Sequence, residues 1–442
     1  HLTSICCSAR YIFGERCAPR PSSCAAEMPN RYVAARLGQG ALQKVTTSRR
    51  LALMLLLAGV WGCQGSPSVE ASPSVEVADS AGVRVVTIAG SSPSDTLRPR
   101  QLWTHGETPP EYLFQRIVSG VLRDDGSVII ADAGSDEVVR IDPDGGDFGI
   151  LARTGQGPRE VRGPRKVVTG GPGDVWIEDF SGRKLLRVDG DSITTVLSGG
   201  DNPPASDRLM PIGLDSAGRI MMTTGGYMPG WEEEWLMGAL VVFDPDESAV
   251  DTVGAFQFAE RVGDPPVFPF SGYGVVSVTP NLFVTGRTDI PEIVWRSSNG
   301  AISQIARWMA EPRYADDRDW AEFEESMRQN IEQMNPGRSA AEYDAMAERS
   351  LAGWALDKTQ PVRLFDDIVG ARDGSVWIAP FTALRSVATA KEWIVMSAGG
   401  EWLGVVEFRT STQVLDITEE LILGIQVDEL DVQTLVVLEN PF

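Results

Sequence analysis

The stretch DGSVIIADAGSDEVVRIDPDG, residues 125–145, decides the fold of this chain. It contains a glycine turn, a short run of apolar residues, a polar connection, a second short apolar run and another glycine turn. Short apolar runs between turn residues are typical of buried strands in an antiparallel sheet. The stretch therefore predicts two neighbouring strands bounded by tight turns.

The same unit recurs along the chain. Its first strands are predicted at 175–179, 220–224, 282–285, 376–379 and 421–424. The turn glycines Gly126, Gly173 and Gly218 stand 47 and 45 residues apart, which is room for four short strands. A row of four-stranded sheets would leave exposed edges unless it closed into a ring. The sequence therefore predicts an all-β fold, a six-bladed β-propeller.

Two further features complete the predicted ring. The run Gly82–Ile88 is the candidate for the N-terminal strand that closes the last blade. Between blades four and five, residues 316–356 carry Trp320, Phe323 and Met327 at helical spacing, which predicts a helical hairpin insertion. This hairpin could pack on the propeller as a cover, or it could act as a lid over the central opening.

Three segments carry a family resemblance: DGSVIIAD at 125–132, RIDPDG at 140–145 and TGQGPRE at 154–160. With them the chain resembles the NHL-type six-bladed propellers of many bacterial exported proteins, over roughly residues 82–440. The resemblance implies the fold. It implies function only as a range, because such rings serve as binding modules, scaffolds and, in a few cases, enzymes.

The first 63 residues differ in kind from the rest, since they hold all five cysteines. We interpret residues 1–43 as an upstream extension that is disordered or not native. Residues 44–63 are predicted to be a lipoprotein-type signal peptide, because a basic segment precedes an apolar run too short to span a bilayer. The segment ends at Cys63 as in a bacterial lipobox, which predicts lipid attachment there; an ordinary signal peptide is the alternative. Residues 64–80 are predicted to be a flexible tether, and 81–442 the propeller.

The charge of the chain restricts its partners. Without residues 1–63 the net charge is about −28, so the surface repels nucleic acid. The predicted partners are an unknown envelope protein, a peptide or a carbohydrate, together with a membrane through the lipid on Cys63. We expect an exported monomer of the cell envelope, anchored to a membrane and facing the periplasm or the cell exterior.

Two aspartates follow the same strand in consecutive units, Asp132 and Asp179. They are candidates for binding a cation or a ligand in the central channel. Alternatively, each caps the turn after its strand through Asx-type hydrogen bonds. Thr224, Thr285 and Pro380 stand at or near the matching places in other units, so no acidic ring is predicted.

A basic cluster and a pair of tryptophans are the other candidate ligand contacts. The cluster could hold a carboxylate, a phosphate or a sugar acid, or its members could pair with nearby acids. The tryptophans flank three glutamates on an extended loop, which suits contact with carbohydrate or peptide, or the packing of a hairpin tip on its own blade. These candidates are Arg153, Arg159, Arg162 and Arg165, with Lys166 beside them, and Trp231 and Trp235.

After residue 63 the chain contains one histidine, His105. A single histidine offers few groups for a histidine-dependent mechanism and excludes a metal site with several histidines. The predicted function is a lipid-anchored extracytoplasmic propeller that acts as a ligand-binding or protein-interaction module, with no cofactor, no metal site and no assigned catalytic residue. The alternative is a propeller hydrolase or lyase that uses channel carboxylates and could depend on calcium.

Overall fold

A computed structural model of the chain shows six mainly antiparallel sheets arranged around a common centre. It describes residues 74–442 except 91–92, 94, 108–110, 172–173, 191, 199–208, 225–234, 248, 261–267, 353, 355–358, 383–391, 411 and 429–431. Within these residues each sheet contains four antiparallel strands, as a propeller blade requires. The predicted six-bladed β-propeller is confirmed.

The strands are numbered in chain order. The N-terminal strands are β1 (Ser74–Ser80), β2 (Val83–Ala89), β3 (Thr96–Leu97) and β4 (Gln101–His105). Blade one contains β5 (Ile117–Leu122), β6 (Val128–Asp132), β7 (Glu137–Ile141) and β8 (Phe148–Thr154), with the short β9 (Glu160–Val161). Blade two contains β10 (Pro164–Gly171), β11 (Asp174–Asp179), β12 (Lys184–Asp189) and β13 (Ser192–Ser198). Blade three contains β14 (Leu209–Leu214), β15 (Ile220–Thr224), β16 (Trp235–Asp244) and β17 (Ala249–Glu260). Blade four contains β18 (Gly274–Thr279), β19 (Leu282–Arg287), β20 (Glu292–Ser297) and β21 (Ile302–Trp308). Blade five contains β22 (Phe365–Gly370), β23 (Val376–Pro380), β24 (Glu392–Met396) and β25 (Trp402–Glu407). Blade six contains β26 (Gln413–Ile417), β27 (Leu421–Val427) and β28 (Gln433–Glu439) together with β4.

The first strand of each blade lies at the centre of the ring. β5, β10, β14, β18, β22 and β26 each contact the next, and β26 contacts β5, so the ring is closed. The hydrophobic core lies between neighbouring blades, where alternate residues of each strand face the adjoining sheet. On β20, for example, Ile293 and Trp295 are fully buried in one cluster with Phe365 of blade five.

The N-terminal strands follow the rim of the ring. β2 pairs in parallel with β21 of blade four, β3 with β25 of blade five, and β4 pairs antiparallel with β28 of blade six. The prediction that Gly82–Ile88 closes the last blade is therefore wrong; β4 completes that blade. The strand pattern could not decide this, because edge pairing uses backbone groups that every short strand presents.

His105 has a structural position on the closing strand. Its side chain is fully buried, and its Nδ1 lies 2.8 Å from the carbonyl oxygen of Gly145 in blade one. The backbone N–H of Tyr112 donates to its Nε2 at 3.1 Å. Since Nε2 accepts, Nδ1 carries the proton and donates to Gly145. His105 thus ties blade six to blade one across the closure.

The predicted tether, 64–80, needs a correction at its end. Residues 74–80 form β1, which pairs with β2 along its whole length and extends the sheet of blade four. The Val75 and Val77 side chains alternate with acidic and small residues, a period of two that suits an edge strand. The rest of the tether, the extension 1–43, the signal peptide and Cys63 lie outside the described residues.

Two helices lie between β21 and β22, at the place of the predicted insertion 316–356. They are α1 (Asp317–Met334) and α2 (Ala340–Leu351), each with a capping box at its start. Trp320 and Phe323 of α1 pack on Phe270 and Phe381 of neighbouring connections. The hairpin therefore packs on the propeller, which is the first of the two roles considered for it. Over the described residues, no helix is both long and apolar enough to cross a bilayer.

Candidate functional site

One face of the ring carries the longer connections. In an antiparallel blade the link between strands two and three lies on the same side as the link to the next blade. We call this side the loop face. The ends of β6 and β11 lie there, and so does the segment between β21 and β22 that contains the helices. A ligand that enters the channel from this face meets the start of each inner strand first.

Asp132 and Asp179 are fully buried at the loop face and bind backbone groups. The Asp132 carboxylate accepts from the N–H groups of Gln115, Arg116 and Gly134 at 2.7–3.0 Å. Asp179 Oδ1 accepts from Arg162 N at 3.1 Å and Gly182 N at 2.9 Å. Each carboxylate thus pins the turn after strand two to the start of strand one, which is the Asx-type capping considered for them.

In the structure the four arginines of the predicted basic cluster lie apart from one another. Arg153 is exposed on β8, Arg159 donates to Ser192 Oγ at 3.4 Å, and Arg162 donates to the Ser181 carbonyl at 3.3 Å. Arg165 forms a two-point ion pair with Glu178 of β11. No shared anion site is formed by the four arginines.

Of the two candidate tryptophans, only the backbone of Trp235 belongs to the described part of the chain. Trp231 lies outside the described residues, and Trp235 is the first residue of β16, opposite Glu260 of β17. The Trp235 side chain, like Trp231, lies outside the described part of the chain.

Three ionisable side chains on or beside the inner strands interact electrostatically: Lys166, Glu178 and Asp367, here called the central charged group. Lys166 on β10 and Asp367 on β22 occupy the same register, directly after a β-bulge and opposite the penultimate residue of strand two. Their blades, two and five, are opposite each other in a ring of six. Glu178 is the strand partner of Lys166. Equivalent positions on opposite blades therefore bring a cation and a carboxylate together.

Withdrawal from water shifts the pKa of every member of this group. Burial lowers the pKa of Lys166, and the Asp367 and Glu178 carboxylates oppose that shift. Burial raises the pKa of Asp367 to about 6, although the Ile368 N–H and the Lys166 ammonium favour its charged form. Burial also raises the pKa of Glu178, against the effect of Arg165. The side chains of Lys166 and Asp367 keep some exposed area, so they remain reachable from the channel.

Asp416 on the inner strand β26 forms hydrogen bonds that hold neighbouring blades together. Its Oδ2 accepts from Leu122 N at 2.8 Å and from Arg372 Nη2 at 2.6 Å. This contact joins blades five, six and one. In the residues described here, no group of three or more His, Cys, Asp or Glu side chains is placed to hold a metal ion.

Perturbed pKa values that depend on burial and on a specific opposite charge are concentrated at functional sites. The central charged group combines a proton donor and acceptor that titrates near neutrality with a lysine that can neutralise an anion. Lys166 stands beside the predicted basic candidates, whereas Glu178 and Asp367 were not predicted as site residues. The available signal was a charged residue inside an apolar inner strand, as in Asp366-Asp367 before Ile368-Val369.

No protein-family model and no curated protein matches this chain. Among solved structures it is similar to a gluconolactonase from Xanthomonas campestris, with a TM-score of 0.39 and 12% identity over 79% of this chain and 98% of that one. It is also similar to regucalcin, a calcium-binding protein from Agrobacterium tumefaciens, with a TM-score of 0.37 and 11% identity over 79% and 98%. Virginiamycin B lyase from Staphylococcus aureus matches with a TM-score of 0.35 and 12% identity over 77% and 87%. Such low values carry no inference about ligand or activity, and the blade count rests on the strand pairing within this chain.

Proposed function

We propose that this chain is an exported, lipid-anchored binding module with an NHL-type propeller, and that its ligand enters the ring from the loop face. The observation that carries the proposal is the electrostatic interaction of Lys166 and Glu178 of blade two with Asp367 of the opposite blade five. A desolvated lysine gains from an anionic ligand, because a buried charge is stabilised by an opposite one. Below its pKa of about 6, Asp367 is protonated and can donate a hydrogen bond. A peptide carboxylate or an acidic carbohydrate has the matching chemistry.

Binding at the ring centre should depend on Lys166. Lys166→Met removes the cation and keeps the length of the side chain, so we expect the Kd for an acidic ligand to rise at least tenfold, about 1.4 kcal/mol. Isothermal titration calorimetry with sugar acids and short peptides measures this. Arg153→Gln, on the exposed surface of β8, is the control and should bind as wild type does. A weaker affinity in Arg153→Gln with unchanged affinity in Lys166→Met would place the ligand at the rim instead.

The anchor is tested separately. Cys63→Ala should move the protein from the membrane fraction to the soluble fraction and abolish incorporation of labelled fatty acid, because a thioether-linked lipid needs the cysteine. Retention of the label in Cys63→Ala would contradict the lipoprotein proposal. The proposal also includes a monomer, which the mass of the lipid-free protein in solution tests.

A second candidate is a hydrolase or lyase that uses the channel carboxylates, in a form that could depend on calcium. The specific observation is the pKa of Asp367 at about 6, since general acid–base groups work best when they titrate near the operating pH. Incubation of the protein with lactones and glycosides, with and without calcium, separates the two candidates. Turnover that Asp367→Asn abolishes supports the enzyme, and binding without turnover supports the module.

A further inference from the structure

A cavity of about 290 Å³ lies between blades three and four, away from the ring centre. Its walls come from β16 and β17 on one side and from β19 and β20 on the other. Most of the lining lies near the loop-face ends of these strands, and Arg296 lies near the opposite end of β20. The apolar part of the lining includes Met237, Phe256, Ile290 and Val294. Its size is at the lower limit of known small-molecule pockets, which are mostly apolar with a few polar groups.

Three charged side chains also line the cavity, and two of them are neutralised. Arg287 binds both oxygens of Asp289 and donates to Gln257 Oε1 at 2.8 Å, which links blade four to blade three. Glu292 accepts from Arg307 Nε at 2.5 Å. The third is Arg296, which lies on the same face of β20 as Glu292 and Val294, because alternate residues of a strand share a face.

Arg296 has no counter-charge among the described residues. Its Nε is buried and makes no hydrogen bond. Burial lowers the pKa of Arg296, and no neighbouring acid opposes this shift. Buried Nε atoms without a partner also occur in Arg123, Arg140 and Arg372, but each of these side chains is paired with an aspartate.

Arg296 is half-buried, and a buried Nε–H without a partner is costly, so such a group in a folded protein calls for an explanation. A ligand in the cavity would supply the missing charge. The excess of one positive charge fits a monoanion, and the planar guanidinium fits a carboxylate, which accepts two parallel hydrogen bonds. The apolar walls fit a hydrocarbon body beside that carboxylate.

We propose that the cavity between blades three and four binds a small carboxylate with an apolar body, and that Arg296 holds the carboxylate. Phe256, Met237 and Val294 cover the hydrocarbon part. This site is independent of the central charged group, so neither proposal depends on the other.

Thermal denaturation with a panel of probes tests the site. The panel contains benzoate, phenylacetate and hexanoate, with benzamide and acetate as controls for the charge and for the apolar body. At millimolar concentrations we expect at least one of the three apolar carboxylates to raise Tm, and benzamide and acetate to have no effect. Equal shifts with acetate, or no shift with any carboxylate, would overturn the proposal.

Variants place the binding at Arg296. In Arg296→Met the affinity for the active carboxylate should fall at least tenfold, whereas Arg318→Gln, an exposed change on α1, should leave it unaltered. Without ligand, Arg296→Met should have a Tm equal to or above that of wild type, because the variant removes a half-buried charge that has no counter-charge among the described residues. If Arg296→Met lowers the ligand-free Tm by several degrees, the guanidinium stabilises the fold and the proposal is wrong.

Discussion

Arg363→Met is expected to lower the free energy of unfolding by about 3–5 kcal/mol, since removal of one partner leaves the other charge buried and uncompensated. Arg363 is 1% exposed and Asp366 is 3% exposed. Arg363 Nε donates to Asp366 Oδ1 at 2.5 Å, and Arg363 Nη2 donates to the Thr382 carbonyl at 2.9 Å. The guanidinium also lies over the ring of Phe381, 4.6 Å from its centroid. Urea unfolding followed by tryptophan fluorescence measures the change.

A double variant separates the lost charge partner from lost packing. Arg363→Met with Asp366→Asn keeps an oxygen that can accept from Thr382 N and Thr382 Oγ1, both 2.7 Å from Asp366 Oδ2. Because the double variant contains no buried charge at this place, it should recover most of the stability lost by the single variant. Equal stability of the single and double variants would contradict this account and would assign the loss to packing with Phe381.

Asp367→Asn is expected to stabilise the protein at neutral pH and to have little effect at pH 4. The pKa of Asp367 is about 6 in the folded chain against an ordinary value of 3.8. Between these values the folded state binds more protons than the unfolded state, so wild-type stability falls as the pH rises. This group alone then costs about 2–3 kcal/mol at pH 7. The asparagine variant cannot ionise and should escape this loss.

The measurement is the difference in unfolding free energy between Asp367→Asn and wild type, from urea titrations at pH 4 to 8. The difference should rise from near zero through the interval from pH 4 to 6 and then level off. Asp251→Asn, at an exposed position on β17, is the matched control and should run parallel to wild type. A difference that does not vary with pH would show that Asp367 is not withdrawn from water.

The candidate site was predictable only in its parts. Asp132 and Asp179 are prominent in sequence because they recur at one place in the unit, yet that recurrence reflects the turn they cap. The clustering of Arg153 to Arg165 in sequence did not become a cluster in space, since β8, β10 and the connection between them direct these side chains to different surfaces. Lys166 and Asp367 are remote in sequence and interact electrostatically only because they stand at equivalent positions on opposite blades.

The amino-acid sequence by itself determined the strands, the number of blades and the position of the helices. These follow from local rules: the period of two in a strand, the period of 3.6 in a helix, and the glycines and aspartates that turns require. Only the tertiary structure decided which N-terminal strand closes the ring, which charges converge at its centre, and which arginine lacks a partner. Those outcomes depend on the register between strands far apart in the chain, and backbone pairing at a sheet edge does not distinguish one short strand from another.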